Sequence, residues 1–482
     1  MKTAYKIYAV FLIFIALLYG CSGSGSSPPA PEETRAQDSR TFTIDPSTLP
    51  FDALAGSTVE TDRWYGILGN AGYRVEVPKT TWNGMLVMYA HGFKEGGDVS
   101  VLDAYSMPDG LRRYLLENGY AWAASSYSKN YYDVRAGIED TNALALAFNN
   151  IAEANGRPLT APTKIYIIGH SMGGHITAAA VEDETYSTAN NKVHYNGAVP
   201  MCGVVGDTEL FNYFTGSQLA AQKVAGFPAT SFPSLEYDPN ATNIINALFT
   251  TFPFPLVPTT LGLTFEGIIM NLTGGTRPMF DQGFTGPLLG VLVWGTFAGG
   301  GDGTISGILN KNGVDTNAIV YQFDADPTLT AEEAAFNASI LRVTADPDAN
   351  RLRRDGLRWI PKVNGNFSVP VVTIHTLGDM FVPFEMEEVY RTRANAGTGD
   401  NWLVQRAIRG VSHCDFTVAE TVAAVEAMLD WEQHGIKPIG DDVLTAGTIG
   451  TANYGCQFTN NTTGIDDSPG IGAVRATLPA CP

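Results

Sequence analysis

Between Lys164 and Ala180 the chain passes through a short apolar stretch, the pentapeptide Gly169-His170-Ser171-Met172-Gly173, and a run of small residues. No other part of the sequence restricts the fold so tightly. Lys164-Ile-Tyr-Ile-Ile168 reads as a buried strand that breaks at Gly169, and Met172 to Glu182 reads as a helix. A serine at the apex of so sharp a turn needs a strained backbone. Side chains on either flank would strike neighbouring backbone, so both flanking residues are glycine. The same turn aims helix N-terminal amides at whatever reacts with the hydroxyl. In 482 residues with 51 glycines the pattern G-x-S-x-G arises easily by chance. The strand before it and the helix after it make this one specific, and Ser171 is the candidate nucleophile.

The rest of the chain keeps the same rhythm. Tyr73–Pro78, Met85–Ala90, Tyr120–Ala124, Asn196–Pro200, Val369–His375 and Val404–Ile408 read as strands, most of them continuously apolar. Leu111–Asn118, Ile138–Ala154 and Thr417–Trp431 read as helices between or after them. This predicts an α/β architecture, a doubly wound, mainly parallel sheet. One interval departs from it. Residues 208–360 show no strand–helix alternation but many phenylalanines, among them Phe211, Phe214, Phe265 and Phe284, with Pro and Gly between. So long a stretch is no loop, and a large inserted cap subdomain is expected, splitting the core into 41–207 and 361–440. The aromatics are either its own core or a greasy underside over a pocket. Thr330 to Gly356 reads as helical.

The ends carry different information. Lys2 and Lys6 precede an apolar run, Ile7 to Leu18, of signal-peptide length and short for a membrane span. Leu18-Tyr19-Gly20-Cys21 resembles a bacterial lipobox, which implies a signal peptide over 1–21 and lipidation of Cys21. An ordinary secretory signal with an incidental cysteine is the alternative. Residues 22–40 begin with Ser, Gly and Pro and read as a flexible tether. The expected location is therefore the cell envelope, outer membrane or cell surface, with the lipid anchor as the membrane contact, or secreted if the lipobox reading is wrong. The net charge of −19 makes nucleic acid a poor partner. Four further cysteines, Cys202, Cys414, Cys456 and Cys481, are an even set suited to an oxidising compartment. Cys456 with Cys481 would staple the tail, 441–482, which leaves Cys202 with Cys414 by subtraction.

The chain resembles the α/β-hydrolase superfamily, and within it secreted bacterial serine esterases. The residues that carry this are Tyr73 to Pro78, Trp82-Asn83-Gly84, His91-Gly92-Phe93, the Ser171 turn, Gly378-Asp379 with Val382-Pro383, and Ser412-His413-Cys414. The resemblance covers roughly Thr43 to Pro438 apart from the insertion, and implies the chain order serine, acid, histidine. It also implies that the backbone N–H groups of Phe93 and Met172 form an oxyanion hole, with His91 a structural residue of that loop. Of seven histidines, only His375, His413 and His434 lie far enough beyond Ser171. His375 falls inside a strand and should pack, and His434 sits in a helix C-cap. His413, between a late strand and the closing helix, is the candidate base. Asp379, at the end of the strand Val369–His375, is the candidate acid; Asp207 is the alternative, and Asp415 reads as a helix cap. A Cys202–Cys414 bridge would then fix the base's loop.

These residues suit hydrolysis of carboxylic esters through an acyl-serine, with a small-molecule or polymeric ester as substrate and an apolar or bulky acyl or alcohol part. The same side chains support a peptidase or amidase, or an acyltransferase, and a hydrolase scaffold that merely binds is the non-catalytic alternative. No spacing of His, Cys, Asp or Glu calls for a metal, and the chemistry needs no cofactor.

Overall fold

The computed structural model describes residues 33–232, 237–252, 255–286 and 302–482. The expected signal peptide, Cys21 and most of the tether lie outside them, as do Phe254, Trp294 and Phe297. Twelve strands are found among the described residues: β1 (Thr41–Ile44), β2 (Thr61–Leu68), β3 (Ala71–Pro78), β4 (Met85–Ala90), β5 (Val99–Leu102), β6 (Ala121–Ser125), β7 (Lys164–His170), β8 (Gly197–Met201), β9 (Phe249–Thr251), β10 (Val257–Pro258), β11 (Val371–Thr376) and β12 (Leu403–Ile408). Eight form the central sheet, in the order β2-β3-β6-β4-β7-β8-β11-β12. Its pairings are parallel except where β3 meets β2 and β6. One reversed strand near one edge, with the order exchanged between β4 and β6, is the α/β-hydrolase arrangement that the sequence led us to expect. The short β1–β5 and β9–β10 pairs stand apart from it.

The pleat divides the core in two. Leu86 and Met88 of β4 pack with Ile138, Leu144 and Ile176 from the helices Val134–Ala154 and Met172–Ala180. Val87 and Tyr89 face the other way, toward Leu111, Leu115 and Met428 of the helices Asp109–Glu117 and Val418–His434. Alternate residues of one strand are thus apolar for different partners, which is why β4 reads as a continuous apolar run. Close packing of the first pair of helices depends on Gly137, where a Cβ would lie 2.3 Å from Ile176 Cδ1.

Between β8 and β11 the sheet gains no strand among the described residues. The chain instead builds the helices Glu209–Val224, Tyr237–Leu248, Thr260–Leu272, Phe280–Phe284 and Ala331–Ser339, with the β9–β10 hairpin. Phe265 and Phe284 are buried inside this insertion, whereas Phe211 and Phe214 line the cleft above Ser171. The helix expected over Thr330 to Gly356 is only Ala331–Ser339. Thr330 and Glu333 start it with a reciprocal cap, but Ile340 is already extended and Val343, Thr344 and Pro347 follow. Asp415 does not cap the closing helix; Thr417 does, paired with Glu420.

From Thr34 to Pro482 the chain is one compact unit, so the expected tether ends several residues before 40. Arg35 and Gln37 are buried. The Arg35 guanidinium lies 2.9 Å from Asp133 Oδ2 and 3.6 Å over the Trp359 ring. The tail is docked as well. Val443, Ile449 and Tyr454 pack on Leu377 and Phe384, and Arg475 pairs with Glu420 at 2.9 Å. Among the described residues no helix is long and apolar enough to cross a membrane.

Candidate active site

Ser171 follows β7 directly, with φ 59° and ψ −124°, a left-handed backbone that a non-glycine residue adopts only under strain. Its flanks show why. A Cβ on Gly169 would sit 2.4 Å from the Gly173 carbonyl oxygen, and one on Gly173 2.0 Å from that of Ala90. The strand end, the turn and the helix start pass too close for any larger residue, as the pattern G-x-S-x-G predicts.

Two distant segments converge on this hydroxyl. His413, on the loop after β12, brings Nε2 to 2.8 Å from Ser171 Oγ. Asp379, in the turn after β11, places Oδ2 2.6 Å from His413 Nδ1. Asp379 is fully buried, and its Oδ1 accepts from the backbone N–H groups of Phe381 at 2.9 Å and Val382 at 3.0 Å. An ionised carboxylate only accepts, so His413 Nδ1 carries the proton and Nε2 is left free to accept from the serine. The Phe381 ring stands edge-on to the imidazole, 5.4 Å between centroids, and limits how far it can swing. The structure therefore brings Ser171, His413 and Asp379 together. Asp207 is turned elsewhere: its Oδ2 accepts from Arg393 at 2.6 Å and from Val363 N–H at 3.1 Å.

The loop that carries His413 is tied from several sides. Cys414 is bonded to Cys202, at the end of β8, with Cα atoms 5.2 Å apart, inside the range such a bridge needs. Thr376 Oγ1 donates to the Ser412 carbonyl at 2.9 Å. Arg475, from the tail, donates to the carbonyls of Arg409 and Asp415. Nothing in the sequence pattern marks Arg475 for this task; only its lone position in an uncharged tail helix could have hinted at it. The second expected bridge, Cys456–Cys481, is present with Cα atoms 5.8 Å apart. Cys202, Cys414 and His413 have the proximity of a metal site, but both sulfurs are spent on each other and offer no thiolate.

On the opposite side of the serine lies the loop after β4. A Cβ on Gly92 would come within 3.3 Å of Ser171 Cβ, so the loop presses directly on the nucleophile. Phe93 and Met172 line the cleft with Ser171, and Met172 opens its helix, where N–H groups lack partners within the helix. The His91 ring is clamped between Tyr105 and Tyr127, with centroids 4.1 and 3.9 Å away, and its Nδ1 donates to the Gly92 carbonyl at 2.7 Å. Burial pushes its pKa down to about 4, so the ring is neutral above that and serves the loop. The walls of the cleft are mostly apolar, with Phe93, Leu210, Phe211, Phe214, Ile305 and Phe381 prominent. Tyr132 also lines it, its hydroxyl turned to His175 Nδ1 at 2.9 Å.

No protein-family model matches the chain. A curated o-phthalyl amidase from Xanthobacter agilis is 31% identical over 67 residues, which span 14% of this chain and 15% of the amidase. Among solved structures, feruloyl esterase B from Aspergillus oryzae is similar over 85% of this chain and 89% of its own, at 16% identity and a TM-score of 0.45. The rice cell wall degrading esterase LipA from Xanthomonas oryzae gives 70% and 78%, 13% identity and 0.34. The acylaminoacyl peptidase of Pyrococcus horikoshii gives 80% and 44%, 10% identity and 0.37. At such scores the fold assignment stands on the strand order itself.

Proposed function

We propose that the protein is a serine hydrolase that cleaves carboxylic esters with an apolar or bulky acyl or alcohol part. One observation carries this reading: the unbroken hydrogen-bonded line Ser171–His413–Asp379, anchored on a strained serine. Ser171 Oγ adds to the ester carbonyl as His413 Nε2 takes its proton, and Asp379 holds the imidazole's tautomer and charge. The Phe93 and Met172 N–H groups receive the oxyanion. Collapse of the adduct expels the alcohol, protonated by His413, and leaves acyl-Ser171. Water, deprotonated by the same imidazole, then adds to the acyl carbon; acid and free serine follow. The insertion serves as the cap over an apolar cleft, which suits a hydrophobic group better than a charged one.

Amide cleavage is the second reading, favoured by the short match to an amidase. Chromogenic esters of graded acyl length and the matching anilides, assayed with the native protein and Ser171→Ala, decide between them. Ester turnover abolished by S171A is expected; turnover surviving in that variant would overturn the mechanism, and faster anilide cleavage would favour the amidase. An added alcohol tests acyl transfer by its ester product. No turnover of any substrate would leave a binding protein. The two disulfides are consistent with export. Lipidation at Cys21 belongs to the same proposal, and mass spectrometry of the N-terminal peptide tests it.

A further inference from the structure

Behind Asp379 lies a second row of buried polar groups that the steps above do not use. His375, in β11, has no exposed surface. Its Nε2 is 2.8 Å from the Val382 carbonyl oxygen and 3.9 Å from Asp379 Oδ2; its Nδ1 is 3.3 Å from Glu387 Oε1. A carbonyl oxygen can only accept, so Nε2 must carry a hydrogen. Glu387, on the helix Glu385–Ala396, takes two 2.6 Å hydrogen bonds on Oε2, from Thr373 Oγ1 and Gln405 Nε2. Bonds of that length are those an ionised carboxylate accepts. Its Oε1 then needs a donor as well, and Nδ1 is the group that faces it. With Glu387 ionised, both ring nitrogens point at acceptors, and only the doubly protonated ring satisfies both.

We propose that His375 is a buried imidazolium that compensates the charge of Asp379, and so acts as a positioning residue for the Ser171–His413–Asp379 line. Its role in turnover rests on the reading of that line as catalytic; its charge state does not. Burial by itself would hold the ring below its ordinary pKa, but the hydrogen bond and charge of Glu387, with the charge of Asp379, outweigh burial and raise it. Those two carboxylates are the charged groups acting on it. β12 contributes the neutral Gln405 amide through Glu387, and the Phe384 ring closes one side at 6.2 Å. Asp379, His375 and Glu387 form a negative–positive–negative row sealed from water. A buried carboxylate without such compensation would favour its protonated form, which could not orient His413.

Two measurements test this. Nitrogen-15 NMR of imidazole-labelled protein at pH 7.5 reads the proton count of His375 without any variant, the signal being assigned by its loss in His375→Gln. Two ring protons are expected; a singly protonated ring overturns the proposal. In Glu387→Gln the ring keeps its place but loses the partner of its charge. Without that charge behind it, the line takes up its inactivating proton more readily. The acid limb of the kcat/KM profile therefore moves about half a unit or more to higher pH, and kcat falls about tenfold with KM within about twofold. His375→Gln should shift the limb the same way. A purely packing role would lower the folded fraction and leave the limb in place, and an unmoved limb in folded E387Q overturns the proposal. If ester turnover survives Ser171→Ala, the catalytic reading fails while the proton count still stands or falls by itself.

Discussion

A methyl group on Gly173 would meet the carbonyl oxygens of Ala90 and His91 at 2.0 and 2.7 Å. Both are backbone atoms, one at the end of β4 and one in the loop just after it, and cannot rotate away. Gly173→Ala is therefore expected to cost on the order of 3 kcal/mol or to displace Ser171, seen as a lowered midpoint in urea together with lost turnover. His91 gives a prediction in pH. Its pKa is held at about 4 in the fold against about 6.5 unfolded, so between those values the unfolded chain binds more protons. Stability then rises with pH across that window, with His91 contributing on the order of 3 kcal/mol; calorimetric Tm from pH 4 to pH 7 checks the sign. Glu95 is the one charged side chain among the described residues lining the cleft. Glu95→Gln should raise turnover of esters bearing a free carboxylate a few-fold at low salt and leave neutral esters unchanged, a comparison that kcat/KM on matched substrates settles. Ser171, Asp379 and His413 were legible in the sequence because each sits beside a strand end whose apolar run is easily read. His375 was legible only as a packed strand residue, since its charge depends on Thr373, Glu387 and Gln405, which no spacing rule connects to it.

Elements position these residues, and the 409–415 loop shows how. It hangs between β12 and the closing helix, tied by the Cys202–Cys414 bond, by Thr376 to Ser412, and by Arg475 to Arg409. Replacing both cysteines, Cys202→Ala with Cys414→Ala, frees one side of the imidazole. The expected outcome is a kcat lower by about tenfold with KM within about twofold, measured on a short-chain ester. Thr417 caps the helix that follows, so Thr417→Ala should cost about 1 kcal/mol in thermal unfolding. Strands buried on both faces were recoverable from apolar runs. β2 was not, because this edge strand mixes Asp62, Arg63 and Gly66 with exposed Tyr65 and Ile67. Within 330–356, polar helix formers imitate a periodic pattern, but the extended backbone from Ile340 onward wins after nine helical residues.

For the whole molecule, the segment after the expected tether is a strap. Arg35 and Gln37 reach Asp133 and Asn130 on the core, and Gln37 N–H and Arg35 Nη1 donate to Gly307 and Ile308 of the insertion. Tyr131, Tyr132, Ile305 and Ser306, neighbours of those attachment points, line the cleft from both sides. Arg35→Ala strands the buried Asp133 carboxylate and is expected to cost about 3 kcal/mol. It should also raise KM more for bulky esters than for acetates, as unfolding curves and a substrate series will show. Composition could not reveal the strap, since a charged Arg and a Gln beside a Ser/Gly/Pro run read as solvent-facing until their partners, some hundred and more residues away, are known. The longer bridge, whose cysteines are 212 residues apart, has a consequence in time. It closes around the entire insertion, so it can form only after both halves of the sheet have been synthesised and have met. A newly made chain held in reducing surroundings carries its serine and its acid in place but its base on a looser arm. On the proposed reading, full reactivity then arrives only with oxidation of this bridge.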